Sequence, residues 1–240
     1  EDINQILIEN KELLNYDFCH EIIHRFNITV NVFNEKNIET EGGCIFVVNH
    51  PLGGMDAMAI VHAMHEYRKD VRFIVNDILM HLKNLKGLFV GINKHGSNSK
   101  TALKDVNELF ASDMGIFVFP AGLVSRKKKG VVQDLAWKKT FVTRAKKFKK
   151  KIVPVYLDGE LTDFFYRLSN ARSAIGIKAN IEMFFLAQEL FKQKNKTIDI
   201  TFGKAIDPSE LTDDKTDQEW ANEIKEKVYS LRQDKNSLHD

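Results

Sequence analysis

The stretch CIFVVNHPLGGMD, residues 44–56, decides how this chain is read. Its first five residues are continuously apolar, the pattern of a strand buried on both faces of a sheet. The segment after Val48 is no ordinary turn, because a histidine, a proline, two glycines and an aspartate come within its eight residues. Gly53 and Gly54 let the backbone turn sharply, and Asp56 stands where a helical pattern begins, which brings its carboxylate towards the His50 ring. A carboxylate on one imidazole nitrogen sets the tautomer and supports the charge formed when the other nitrogen takes a proton. Such a pair is a general base for a hydroxyl. The competing reading makes Asp56 a plain helix cap and His50 the end of a strand.

Outward from this stretch the chain alternates. Apolar positions between Ile6 and Phe26 recur at helical spacing with a break near Asn15 to Asp17, predicting one or two N-terminal helices over residues 1–27. ITVNVF (28–33) alternates like a half-buried strand. Further strands are expected at 71–75, 88–92, 115–119 and 152–157, separated by helical patterns at 56–69, 77–85, 99–112 and 133–149. After Gly159 come helices at 161–172 and 180–193, the strand TIDITFG (197–203) and a polar amphipathic helix at 216–233. This order predicts the α/β class: residues 28–240 form a mixed, largely parallel sheet of about seven strands flanked by helices, in one structural domain with the N-terminal helices.

The composition agrees. A chain of 240 residues, 43% apolar and 28% charged, can bury one core and has no tract biased enough for disorder. No run approaches the roughly 20 apolar residues of a spanning helix, so membrane contact is expected to be peripheral. Cys19 and Cys44 are the only thiols, and Cys44 sits inside an apolar strand, which points to reduced cysteines and a cytosolic setting. The net charge of +2 is unevenly spread. Residues 126–151 hold twelve Lys and Arg against the single Asp134, so the remainder of the chain is net acidic.

Ligands of open α/β sheets bind beyond the carboxyl ends of the strands. Besides His50, two such ends are unusual. In GIFVFPAGLVSRKKKG (115–130) a buried strand runs into Pro120 and Gly122, with Ser125 and Arg126 close behind: a candidate cradle for an oxyanion or phosphate, or else a loop of solvated lysines. In LFVGINKHG (88–96), Lys94 offers a cation to the same end of the sheet.

With these residues in place, the chain resembles the glycerolipid acyltransferases, the PlsC-like or lysophosphatidic acid acyltransferase family. NHPLGGMD looks like the family's first block, FVGINK its second, FPAGLVSR its third and IVPVYLDG (152–159) its fourth, in order over most of the chain. Five residues separate His50 from Asp56 where the family usually has four, and Gly53-Gly54 absorb the extra one. Ala121 stands where the third block usually has Glu, Arg126 lies two positions further on than usual, and Lys94 replaces an Arg. In these features the chain is similar to the branch that O-acylates lyso-aminolipids such as ornithine or glycine lipids.

The resemblance implies a glycerol-3-phosphate acyltransferase-like fold and an O-acyltransferase that moves a fatty acyl group from acyl carrier protein or coenzyme A to a lysolipid hydroxyl. It implies that His50 deprotonates the acceptor and Asp56 orients His50, while Lys94, Pro120, Gly122, Ser125 and Arg126 bind acceptor or donor. Neither a metal nor a bound cofactor is expected, and the expected location is the cytoplasmic face of a bacterial inner membrane. Phe164, Phe165, Phe184, Phe185 and Leu186 are candidates for a groove that takes the donor chain. The segment 134–151 reads as a helix with an apolar stripe at Leu135, Phe141, Val142, Ala145 and Phe148. Its lysines would then meet an anionic membrane surface or an acidic carrier protein.

Three rivals accompany this reading. A thioesterase would use the same His and Asp on water. A nucleic-acid binder would use the basic run, although no nucleic-acid partner is expected beside so acidic a remainder. HEIIH (20–24) satisfies the H-E-x-x-H pattern of zinc proteases, but it precedes the α/β scaffold and no third ligand stands out.

Overall fold

The structure, a computed structural model, describes residues 3–92 and 100–234. Two helices, α1 (Ile3–Glu9) and α2 (Asn15–Arg25), lead into strand β1 (Thr29–Phe33). The chain then alternates through β2 (Cys44–Val48), α3 (Gly54–Met64), β3 (Val71–Asn76), β4 (Phe89–Ile92), α4 (Lys100–Ala111) and β5 (Gly115–Val118). A hairpin of β6 (Arg126–Lys128) and β7 (Val131–Gln133) precedes α5 (Thr140–Phe148) and β8 (Lys151–Leu157). The chain closes with α6 (Asp163–Ala174), α7 (Leu186–Phe191), β9 (Thr197–Phe202) and α8 (Asp217–Asp234). Seven strands form one sheet in the order β1-β9-β8-β2-β5-β3-β4. Strands β8, β2, β5, β3 and β4 are parallel, whereas β9 pairs antiparallel to β8 and carries β1 parallel to itself. The mixed, largely parallel α/β sheet expected from the alternation is therefore present.

β2 lies at the centre, and its alternation divides the core. Phe46 and Val48 face one apolar cluster with α2, α3 and α6, while Ile45 and Val47 face a second cluster with α5 and α8. Four of its residues are wholly buried, each contributing about 1.5–3 kcal/mol through apolar burial, so the loop beyond it leaves a rigid support. Cys19 and Cys44 are buried free thiols, pushed up to about 12 by burial.

The largest departure from the expected elements is at 133–149, where the apolar stripe predicts one helix and the structure has the end of a hairpin, an irregular segment and the short α5. The hairpin turns at Lys129 and Gly130, with φ of +49° and +81°, and its second strand takes the chain as far as Gln133. Residues 134–138 then spend their polar groups on neighbours: the Lys138 N–H donates to Pro120 O at 3.1 Å and the Trp137 indole to Asp134 at 2.8 Å. The 180–193 pattern likewise resolves into a 3-10 turn, Ile181–Phe185, with α7 directly after it.

Candidate active site

The carboxyl ends of β2, β5 and β8 converge on one loop system. Asn49, buried just after β2, ties it to β8: its amide accepts from Leu157 N–H at 2.7 Å and donates to Leu157 O at 2.8 Å. The chain then turns through Gly53, whose φ of +69° and ψ of −126° suit only glycine. A Cβ there would also press on Val124 at 3.3 Å. This turn absorbs the extra residue of the loop and sets Asp56 in the first turn of α3, facing back to His50.

His50 Nδ1 lies 2.7 Å from Asp56 Oδ2, and both Asp56 oxygens accept from the Leu52 N–H at 3.1 Å. Asp56 does not cap its helix: the cap position is Gly53, with no side-chain bond. Asp56 is wholly buried, and burial pushes its carboxyl above the ordinary range against the pull of His50 and the Leu52 amide. With Asp56 ionised, and so able only to accept, the ring would donate from Nδ1 and carry its lone pair on Nε2. The His50 side chain keeps 19% of its surface exposed, so the ring remains open to a reactant.

A second carboxylate holds the backbone of the same histidine. Asp134, buried at the end of the β6–β7 hairpin, accepts from the His50 N–H at 3.1 Å, the Ser125 hydroxyl at 2.5 Å and the Trp137 indole at 2.8 Å. Its own N–H donates to the Tyr229 hydroxyl at 2.7 Å, and Lys225 donates to its carbonyl at 2.8 Å. The Ser125 N–H closes the loop on His50 O at 2.8 Å. Sequence reasoning missed Asp134; the one signal it offers is being the single acid among twelve cations.

The remaining expected residues separate. Gly122 has φ of +66°, but its N–H donates to Phe119 O at 2.9 Å and is not turned towards an oxyanion. The Ser125 hydroxyl is spent on Asp134. Arg126 is buried, donating to Glu182 at 2.7 Å and to Val124 O at 2.5 Å, with Arg172 on the other oxygen of Glu182 at 2.8 Å. Lys94 lies outside the described residues.

A cavity of about 370 Å³ adjoins the loop. Its walls include Val106, Phe110, Val118, Phe119, Pro120 and Phe141, and Gly122, Lys138 and Arg144 add polar groups. Phe119 is shared with the histidine, its ring stacked on the imidazole at 4.3 Å between centroids. Lys138 Nζ passes 3.8 Å from where a Gly122 Cβ would stand, bringing a cation that sequence reasoning missed. A wider depression between α1 and residues 81–84 touches none of these side chains. The expected aromatic groove is not formed: Phe165 is wholly buried, whereas Phe164 and Phe184 are exposed on the surface.

The basic run is also less free than it reads. Lys146 pairs with Asp213 at 3.3 Å and Asp217 at 3.2 Å, Lys150 with Asp113 at 3.6 Å and Lys151 with Glu39 at 3.0 Å. In the HEIIH segment, His20 Nδ1 faces His62 Nδ1 at 3.2 Å and its ring stacks beside Tyr16. Among the described residues no group of three or more His, Cys, Asp or Glu is placed to hold a metal ion.

A His–Asp pair at the carboxyl edge of an α/β sheet, with an apolar cavity beyond the Phe119 ring that stacks on the histidine, suits acyl transfer. The family described as Acyltransferase matches residues 1–239, and the chain belongs to that family. It is 42% identical over 232 residues to the lyso-glycine lipid O-acyltransferase of Bacteroides thetaiotaomicron, covering 96% of this chain and 85% of that protein. It is 40% identical to the protein of the same name from Phocaeicola vulgatus, covering 96% and 83%. Among solved structures it is similar to the 1-acyl-sn-glycerophosphate acyltransferase PlsC of Thermotoga maritima, with a TM-score of 0.54 and 18% identity over 97% of this chain and 88% of that one. That likeness shows the fold.

Proposed function

We propose that this acyltransferase moves a fatty acyl group from a thioester donor, acyl carrier protein or acyl-coenzyme A, to the hydroxyl of a lyso-glycine lipid. The acceptor is supported by the names of the two curated relatives. The chemistry is carried by one observation, the 2.7 Å contact that holds His50 Nδ1 against buried Asp56.

In the proposed reaction the acceptor hydroxyl loses its proton to His50 Nε2 as its oxygen attacks the thioester carbonyl carbon. Asp56 stabilises the imidazolium that results, by a hydrogen bond and by charge. The tetrahedral adduct collapses, the carbon–sulfur bond breaks, and the thiolate recovers the proton from the ring. The products are an ester and a free thiol, with no covalent enzyme intermediate. Lys138 is the proposed cation at the reacting carbonyl, and Pro120 and Gly122 line the donor side with it. The apolar cavity beyond Phe119 is the proposed seat of the acyl chain. Ser125 and Arg126 act here as braces of the loop, through Asp134 and Glu182. Lys94 keeps its proposed place as a substrate cation.

The enzyme is proposed to act from the surface of an anionic membrane; no helix among the described residues is long and apolar enough to cross one. Incubation with lyso-glycine lipid and either donor, with mass spectrometry of the products, tests the reading. The expected product is the O-acylated lipid. Release of free fatty acid regardless of acceptor would mean that water takes the place of the alcohol and the protein is a thioesterase.

A further inference from the structure

The arm from α6 to α7 has a second apolar side that the fold does not use. Phe165, Tyr166 and Ser169 of α6 turn inward and are buried. Phe164, Leu168, Ala171 and Ile175 recur at spacings of four, three and four, which places them on one stripe of the opposite side. Phe164 is 55% exposed and Ile175 73%. The chain then folds back along α6, held by Arg172, which donates to Ile177 O at 2.6 Å and to Glu182. This return exposes Ile177 and Phe184, the latter at 85%, and sets Phe185 edge-on to Phe164 with ring centroids 5.1 Å apart.

The acids bordering this stripe are matched by cations, Glu160 and Asp163 by Lys127 and buried Glu182 by Arg126 and Arg172, so the unmatched charge is positive. Residues 164–181 include Arg167, Arg172 and Lys178 and no acid. The neighbouring hairpin, joined to α6 by the Asn170 amide on Lys127 O at 3.0 Å, adds exposed Lys128 and Lys129 at its turn. Arg167, Lys178, Lys128 and Lys129 have no ion-pair partner among the described residues, in contrast to Lys146 on α5 and Lys150 just after it. The arm also touches the catalytic loop: Leu186 and Leu190 lie 3.5 and 3.8 Å from where Cβ atoms on Gly53 and Gly54 would stand.

We infer that the outer side of residues 164–185, with the β6–β7 turn, is the surface by which the enzyme docks on an anionic lipid bilayer. Exposed aromatic and aliphatic side chains enter the boundary of headgroups and acyl chains, and the surrounding cations meet lipid phosphates. The proposal deepens the lysolipid reading above, since it seats the His50 loop, through α7, beside the membrane that holds the acceptor. A second exposed apolar pair near helix ends, Ile8 and Leu14, lies among Glu9, Glu12 and the Glu12-paired Lys11, and that charge does not fit an anionic surface.

Sedimentation with vesicles tests the surface. The full chain is expected to bind phosphatidylglycerol-containing vesicles at least tenfold more strongly than phosphatidylcholine vesicles. The combined Phe164→Ser, Ile175→Ser, Ile177→Ser and Phe184→Ser variant is expected to lose at least tenfold of that binding, with its unfolding midpoint and its turnover of soluble short-chain substrates retained. Arg167→Glu with Lys178→Glu, which leaves the apolar stripe intact, should weaken binding most at low salt. Ile8→Ser with Leu14→Ser should leave it unchanged. Wild-type vesicle binding by the serine variant would overturn the proposal, as would a dimer of the wild-type protein that the serine substitutions dissolve, which would give the stripe to a second copy. Vesicle binding by a protein that acylates no lysolipid would instead overturn the functional reading and leave the surface standing.

Discussion

Asp56 and Asp134 are both buried carboxylates bonded to His50, and they do different work. Asp56 meets the ring at Nδ1, where in the proposed reaction it faces the imidazolium. Asp134 meets the backbone amide of the same residue and draws Ser125 and Trp137 into the same knot. One carboxylate holds the ring and the other holds the backbone. The difference teaches that contact with the proposed base does not by itself make a group part of the chemistry.

Substitution should separate the two. The largest effect is expected for Asp56→Asn, where one amide oxygen still accepts from the Leu52 N–H but the group facing Nδ1 can no longer support an imidazolium. Turnover should fall by about 10⁴-fold while stability changes by less than about 1 kcal/mol. Steady-state rates and urea unfolding read both quantities. Asp134→Ala should show the reverse balance. Losing an acceptor for three donors is expected to cost about 3 kcal/mol in unfolding free energy, with turnover reduced about 10²-fold through displacement of His50. Equal losses of rate at equal stability in the two variants would erase the distinction.

Asp70 supplies the exposed counterpart. Its carboxylate takes two bonds from Arg68, at 2.8 and 2.7 Å, and the guanidinium holds it below the usual carboxylate range. Its side chain is 46% exposed, so water screens the pair and Asp70→Asn should cost less than about 1 kcal/mol. A depressed carboxyl stabilises the fold above its unfolded pKa and loses that contribution as pH falls through its folded value. The wild-type and Asp70→Asn unfolding midpoints should therefore differ at neutral pH and converge in acid.

How far each group can be read from the sequence depends on how local its cause is. The continuous apolar run of β2 and the alternation after it are local patterns, and the seven-stranded sheet arises from them. Asp56 is also legible, because it stands only six positions beyond His50 with two glycines in between. Asp134 stands 84 residues from His50 and its bonds depend on the hairpin, whose turn at Lys129 and Gly130 lies inside a run of lysines that reads as a solvated loop leading to a helix. The ionic ties of the basic run are hidden for a related reason: their acids, Glu39, Asp113, Asp213 and Asp217, come from distant places in the chain. Arg126 and Ser125 are recognisable as part of a block, but only packing against Glu182 and Asp134 reveals where their polar atoms go.

The central claim is that the His50 ring removes the acceptor's proton. Its most direct test is the initial rate of acyl transfer from a thioester to lyso-glycine lipid by His50→Ala, with circular dichroism and the unfolding midpoint confirming a native fold. A fall of about 10²- to 10⁴-fold is predicted. A folded His50→Ala protein that transfers acyl groups at the wild-type rate would contradict it.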